Sequence, residues 1–131
     1  MKIGMMFATL LFGLLLSTAV RAADKADLNG KWAGKDKAGV ENAIDLNADG
    51  SAMLYEGGKP LPLQPGATVT WTADTTKTPW QLDVTVKNGD KVMVLKMIAE
   101  VADGKLKLEG GNDPATRPGA FTAEAITFSK K

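Results

Sequence analysis

The sequence predicts an all-β domain of about eight antiparallel strands, folded as a meander barrel or a flattened barrel or sandwich. Apolar and polar residues alternate through residues 80–87, a pattern typical of a strand with one buried face. Asn88-Gly89 and Asp103-Gly104 are dipeptides that form tight turns between neighbouring strands. No segment after residue 22 has a convincing helical pattern. Closure of such a sheet would remove its exposed edges, which favours a barrel or a two-layer arrangement.

The central meander, residues 79–108, holds three of the predicted strands: 80–87, 91–101 and 105–109. The middle strand is apolar on both faces at its start and is rich in β-branched residues, which disfavours a helix. Its Met93, Leu95 and Met97 form an apolar stripe on one face. The stripe has two interpretations: a core contact, or an exposed face that meets a partner or lipid.

Four more strands are expected before the meander. Residues 28–34 form the first, 40–46 and 51–55 form a hairpin with a glycine turn, and 67–72 alternate threonines with apolar residues. Residues 57–66 contain three prolines and are expected to form a stiff loop or an edge, because proline cannot donate to a strand ladder.

The last predicted strand follows a long loop. Residues 109–114 and 117–119 are rich in glycine and proline, which is typical of a loop. Residues 121–129 alternate again, with Ile126 and Phe128 on one face.

The first 22 residues have the composition of a signal peptide. Lys2 provides a positive start, residues 3–16 are apolar, and Val20 and Ala22 fit the small-residue positions before a cleavage site. An uncleaved membrane anchor is the alternative, disfavoured because the apolar run is shorter than a bilayer requires. We therefore expect a single β domain over residues 23–131, without a membrane span after signal removal, in the periplasm or secreted.

Composition excludes several classes of function. The chain has 16 basic and 15 acidic residues, and neither histidine nor cysteine. Nucleic-acid binding is not expected, because no basic residues cluster to form a phosphate-binding face. Without cysteine there is no disulfide and no lipid-attachment site.

Several segments, in this order, resemble an uncharacterised family of secreted bacterial lipocalin-like domains. They are Leu28-Asn29-Gly30-Lys31-Trp32, residues 77–83 with Pro79-Trp80, residues 102–108, and Arg117-Pro118 followed by Phe121. The resemblance covers nearly all of residues 23–131 and implies an eight-stranded barrel or sandwich, but no firm activity. Gly30-Lys31-Trp32 also resembles the G-x-W of lipocalins, in which the tryptophan packs at the closed end of the barrel. A late arginine lies across that tryptophan in lipocalins, and Arg117 is the residue that could match it.

The aromatic residues have two interpretations. In the simplest interpretation they belong to the hydrophobic core, because Trp71 and Trp80 fall on apolar strand faces. Alternatively some line an apolar pocket, as the lipocalin-like resemblance implies. Eight strands enclose space for side chains or one small ligand, so a filled interior is also open. The candidate ligand-binding residues are Trp32, Tyr55, Trp71, Trp80 and Arg117.

These residues predict an exported, non-catalytic binding module for a small apolar or amphipathic molecule, without a cofactor. The alternative is a protein-binding or structural envelope domain with a packed interior. In that case residues 59–65 and 110–119 would form the surface that contacts an envelope protein.

Residues 45–56 match a calcium-loop pattern. Asp45, Asn47, Asp49, Gly50 and Glu56 occupy its ligand and turn positions. Such a loop requires a helix on each side, whereas the flanking residues here alternate as strands. A hairpin turned at Asp49-Gly50 explains the same residues, so no metal site is expected.

Catalytic residues are not expected either. Without histidine or cysteine, the usual nucleophile–base pairs and zinc ligands cannot be assembled. Asp83, Asp90 and Glu100 remain as carboxylates for glycoside hydrolysis by elimination only. We therefore predict that the protein is not an enzyme.

Overall fold

A computed structural model describes residues 23–111, 113 and 116–131. The predicted signal peptide, residues 1–22, lies outside the described residues. Within them, no helix has the length and apolar character needed to cross a membrane.

The described chain is all-β, as predicted, and its nine antiparallel strands form one sheet that curls into a half-barrel. Along the sheet their order is β4-β3-β2-β1-β9-β8-β7-β6-β5, so the first strand pairs with the last. The strands are β1 (Gly30–Lys35), β2 (Glu41–Leu46), β3 (Ala52–Glu56), β4 (Lys59–Pro60), β5 (Thr68–Asp74), β6 (Trp80–Asn88), β7 (Lys91–Ala102), β8 (Lys105–Gly110) and β9 (Ile126–Lys130).

The two sides of the curled sheet approach each other at one end. Ser51, just before β3, forms an isolated antiparallel bridge with Thr70 of β5. The Trp71 amide donates to the Gly50 carbonyl at 2.9 Å. Since β3 and β5 are not paired further along, the sheet is closed at the Ser51 end and open at the other.

A 3-10 helix, Lys25–Leu28, plugs the closed end. Leu28 is completely buried beside Trp32 and Trp71 in the core. The Trp32 indole donates from Nε1 to the Leu28 carbonyl at 2.9 Å, and Trp71 Nε1 donates to the Asn47 carbonyl at 2.9 Å. Each buried indole therefore has the hydrogen bond that its N–H requires.

The segment after β8 crosses the outer face of the sheet. Arg117 Nη1 donates to the Met97 carbonyl at 2.8 Å, and the Thr122 amide donates to Glu109 at 2.7 Å. Glu109 lies opposite Ile98 in the β7–β8 register, and Ile98 is 2% exposed although it points outward. We call residues 116–125 the outer segment; its anchors on both sides of Ile98 explain why this side chain is buried.

Three elements differ from the sequence-based expectation. The first strand begins at Gly30 and not at residue 28, because Leu28 ends the 3-10 helix. The last strand begins at Ile126 and not at residue 121, because Thr122 binds Glu109 across the outer face instead of joining the ladder. The ninth strand is β4, two residues long, in the proline-rich stretch. It lies at the edge of the sheet, as proline requires.

Candidate functional site

The open end of the half-barrel contains a cavity of about 430 Å³. One wall is formed by Ile44 and Leu54 of β2 and β3. The facing wall is formed by Leu95, Met97, Leu108, Ile126 and Phe128 of β7, β8 and β9. A cavity of this size and character falls in the range of sites for small molecules.

Strand alternation explains the apolar wall. Leu95 and Met97 have the same facing as the buried Ala99 in β7, and Ile126 has the facing of Phe128 in β9. Leu54, Leu95, Met97 and Ile126 are only half-buried, although each packs against the core. Their exposed parts form the apolar surface that a ligand would cover.

The mouth of the cavity is acidic. Glu56 ends β3 with the facing of Ala52 and Leu54, and Glu124, at the end of the outer segment just before β9, also lines the cavity. Asp36 follows β1, and its Oδ1 accepts from the amides of Ala38 at 2.9 Å and Val40 at 3.0 Å. These contacts fix Asp36 in the β1–β2 turn at the rim.

The structure does not bring the five predicted ligand-binding residues together. Tyr55 lines the cavity, but it occupies an outward strand position, and Lys31 Nζ lies 4.3 Å from its ring centroid. Trp32 and Trp71 are buried at the closed end. Trp80 is half-buried and lines a different hollow, beside Pro79 and Lys77. Arg117 lies on the outer face of the sheet.

The cation over Trp32 is Lys130 and not Arg117, which corrects the expected match to the lipocalin arginine. Lys130 Nζ lies 5.0 Å from the Trp32 ring centroid. Lys130 reaches this position because β9 pairs directly with β1, with Lys130 opposite Trp32. Arg117 instead pairs with Asp83 through Nη2 at 2.7 Å.

Most of the residues that line the cavity are not among the predicted ligand-binding residues, four of which are aromatic. The lining is aliphatic, and its acidic residues stand at strand ends. The one sequence feature that points to the cavity is the apolar stripe of Met93, Leu95 and Met97. Leu95 and Met97 line the cavity. Met93 lies further out on the same face of β7 and is 44% exposed.

The calcium-loop pattern forms a hairpin between β2 and β3, which confirms the hairpin interpretation. The Asn47 amide donates to the Ser51 carbonyl at 2.9 Å, closing the turn. Asp49 lies in the turn before β3, whereas Glu56 is the last residue of β3. The length of the strand therefore separates the two carboxylates. Among the described residues, no group of three or more histidine, cysteine, aspartate or glutamate side chains could hold a metal ion.

The Asp49 carboxylate predicts a pH-dependent contribution to stability. It accepts from Ser51 Oγ at 2.6 Å and from the Ser51 amide at 2.8 Å, and these bonds lower the pKa of Asp49 from its ordinary 3.8. A lowered folded-state pKa gives a contribution that is present above the unfolded pKa and is lost as pH falls through the folded pKa. Asp49→Asn should therefore be slightly less stable than wild type at neutral pH, with the difference vanishing in acid.

Urea denaturation across the acidic range measures this difference. Asp74→Asn provides a matched case, because Thr76 Oγ1 and the Thr76 amide lower the pKa of Asp74 in the same way. A difference between wild type and Asp49→Asn that grows as pH falls would contradict the assignment.

The three carboxylates considered for catalysis lie apart. Asp83 lies on the outer face with Arg117, and Glu100 pairs with Lys107 at 3.3 Å. Asp83 is opposite Lys96 in β7, four residues from Glu100, which corresponds to roughly 13 Å along a strand. Asp90 lies in the β6–β7 turn. This spacing exceeds the separation that a pair of glycosidase carboxylates requires.

Comparison with protein-family models, with curated proteins and with solved structures finds no match to this chain. The curled all-β fold and the apolar cavity with its acidic mouth therefore carry the functional argument.

Proposed function

We propose that this protein is an exported, lipocalin-like, non-catalytic module that binds a small apolar or amphipathic molecule in the cavity at the open end. The observation that carries the proposal is the cavity of about 430 Å³ between two aliphatic walls. Half-buried leucine, methionine and isoleucine side chains there lose further apolar surface when a ligand enters, which favours binding. Export to the periplasm or beyond rests on the signal-peptide composition of residues 1–22.

A protein-binding role is the second candidate, supported by exposed apolar residues at the end of the β6–β7 hairpin. Val92 is 60% exposed and Met93 is 44% exposed. The two surfaces expected for this role lie elsewhere: residues 59–65 include the edge strand β4, and residues 110–119 include part of the outer segment. Within residues 110–119, positions 112, 114 and 115 lie outside the described residues.

Filling the cavity should abolish binding of an apolar probe. Gly110 ends β8 and lines the cavity, and a Cβ at this position would lie 3.6 Å from Met97 Cγ, an ordinary contact. Gly110→Leu therefore adds an apolar side chain to the cavity without a clash at Cβ. We expect the affinity for the neutral fluorescent probe N-phenylnaphthylamine, measured by fluorescence titration, to fall about tenfold or more, the equivalent of about 1.4 kcal/mol.

Gly119→Leu is the matched control. A Cβ at Gly119 meets no described atom within 4 Å, and Gly119 is not among the described residues that line the cavity. This variant should bind the probe as wild type does, and both variants should keep the far-UV circular dichroism of the β fold. Absence of probe binding to wild type, or equal binding by a folded Gly110→Leu, would overturn the proposed function.

A further inference from the structure

We infer that the ligand of this cavity is a single-chain amphiphile with a cationic headgroup, its tail between the aliphatic walls and its head at the acidic mouth. The inference rests on the proposed function and specifies the chemistry of the ligand. It is supported by two observations: apolar and acidic groups are separated along the cavity, and no described residue of the lining is basic.

The apolar and acidic parts of the lining are segregated. The inward strand residues that line the deep part of the cavity, such as Ile44, Leu108 and Phe128, are aliphatic or aromatic. Toward the open end the lining becomes polar: Asn42 near the start of β2 and Glu56 at the end of β3 face inward, and Glu124 lines the cavity from the end of the outer segment. An elongated molecule would therefore place its apolar part deep and its polar part beside these side chains.

The charged residues that line the cavity are all acidic. Among the described residues, the lining contains four carboxylates, those of Asp36, Glu56, Glu109 and Glu124, and no lysine or arginine. Carboxylates beside a low-dielectric cavity focus a negative potential that attracts a cation and repels an anion. A fatty acid would bring its own carboxylate into this field, which disfavours it.

The acidic side chains are not equally available. Glu109 is buried, and its two oxygens accept from the Thr122 amide and from Thr122 Oγ1. Glu124 pairs with Lys37 at 2.8 Å, but the two side chains are 69% and 62% exposed. Such an exposed pair contributes little and exchanges readily with another cation.

Glu56 is the most available of the four. In the described part of the chain no lysine or arginine lies within ion-pair distance of its carboxylate, although Lys59 is opposite Glu56 in the β3–β4 register. The headgroup is therefore expected between Glu56 and Glu124, where it would exchange with Lys37.

The volume of the cavity suits a single alkyl chain. If each methylene group occupies about 30 Å³, the share of one water molecule in the liquid, a twelve-carbon tail fits. The cavity volume of about 430 Å³ leaves little room for a second tail. Probes with a dodecyl tail therefore match the cavity in size.

The test compares three dodecyl probes by isothermal titration calorimetry, each below its micelle-forming concentration, at neutral pH and low ionic strength. Dodecyltrimethylammonium is the cationic probe, dodecyldimethylamine oxide carries no net charge, and dodecanoate is the anionic probe. We expect the cation to bind about tenfold or more tightly than the anion. The preference should shrink with added salt, because salt screens exposed charges.

Glu56→Gln with Glu124→Gln should remove most of the preference while leaving the affinity for the amine oxide unchanged. Glu100→Gln removes the same kind of charge on the outer face, away from the mouth, and should leave the preference intact. Equal or tighter binding of dodecanoate by wild type would overturn the cationic inference but leave the proposed function standing. Failure of all three probes to bind wild type would overturn both.

Discussion

Replacing Trp32 by alanine is expected to lower the free energy of unfolding by about 3–5 kcal/mol, because a large buried side chain is lost from a packed region. Trp32 is 2% exposed and packs with Leu28, which is completely buried. Its indole N–H also donates a 2.9 Å hydrogen bond to the Leu28 carbonyl. The alanine variant therefore loses core volume and the contact that holds the 3-10 helix in the closed end. A decrease in Tm of about 20 °C should accompany the change.

Trp32→Phe separates the two contributions. Phenylalanine retains an aromatic ring but cannot donate to the Leu28 carbonyl, so part of its cost should be the roughly 1 kcal/mol of a typical hydrogen bond. Equilibrium urea denaturation followed by far-UV circular dichroism measures both variants. If Trp32→Ala cost less than about 1 kcal/mol, the packed closed end described above would be contradicted.

The fold was predictable where local chemistry decides the structure. Gly89-Asp90 joins β6 to β7, one residue later than the Asn88-Gly89 dipeptide indicates, and Asp103-Gly104 joins β7 to β8; the two glycines have positive φ, at 68° and 74°. Asp103 also has a positive φ, of 53°, which aspartate tolerates better than most residues. Turn residues and period-2 alternation therefore located the meander.

The start of the last strand was not predictable from local pattern. Alternation continues from residue 121 to 129, but the ladder begins only at Ile126. The preceding residues are held by Glu109, thirteen positions earlier, which binds both the amide and the hydroxyl of Thr122. A side chain that distant in sequence gives no local signal.

The candidate site was harder still, because a cavity depends on where side chains fail to meet. Trp32 and Trp71 are apolar and aromatic, as a pocket residue should be, yet the closed end packs around them. Leu54 of β3 and Leu95 of β7 have the same alternation as core residues but line the cavity and are only half-buried. Alternation identifies the inward face of a strand, whereas the distance between opposite strands comes only from the three-dimensional structure.

Arg117 illustrates how a sequence match leads to the wrong partner. Because Arg117 lies late in the chain, it was the candidate for the arginine that lies across the tryptophan in lipocalins. The outer segment carries it instead to the outer face, where Asp83 and the Met97 carbonyl hold its guanidinium. The bond to Met97 ties the outer segment to the backbone of β7 near the cavity wall.

Replacing Arg117 by alanine is expected to lower the free energy of unfolding by about 2–3 kcal/mol. The expected loss includes the charged hydrogen bond and the cost of leaving its buried partner groups unpaired. It is kept at the low end because the Arg117–Asp83 pair is partly exposed. Asp83 Oδ1 is enclosed, and Arg117 approaches it at 2.7 Å without an aligned hydrogen bond. Loss of the arginine leaves this oxygen without its cation. The outer segment should then detach and expose Ile98.

Three variants and one exchange experiment test this assignment. Arg117→Lys keeps the positive charge, but a single ammonium group cannot contact both Asp83 and the Met97 carbonyl as the guanidinium does. It should therefore recover only part of the lost free energy of unfolding. A double-mutant cycle with Asp83→Ala should give a coupling energy of about 1 kcal/mol or more, whereas independent roles would give near-additive losses. Hydrogen exchange at the amides of the outer segment should accelerate in Arg117→Ala, while exchange at Trp32 and its neighbours in the closed end stays slow. Unchanged exchange in the outer segment would show that Glu109 and Thr122 suffice to hold it.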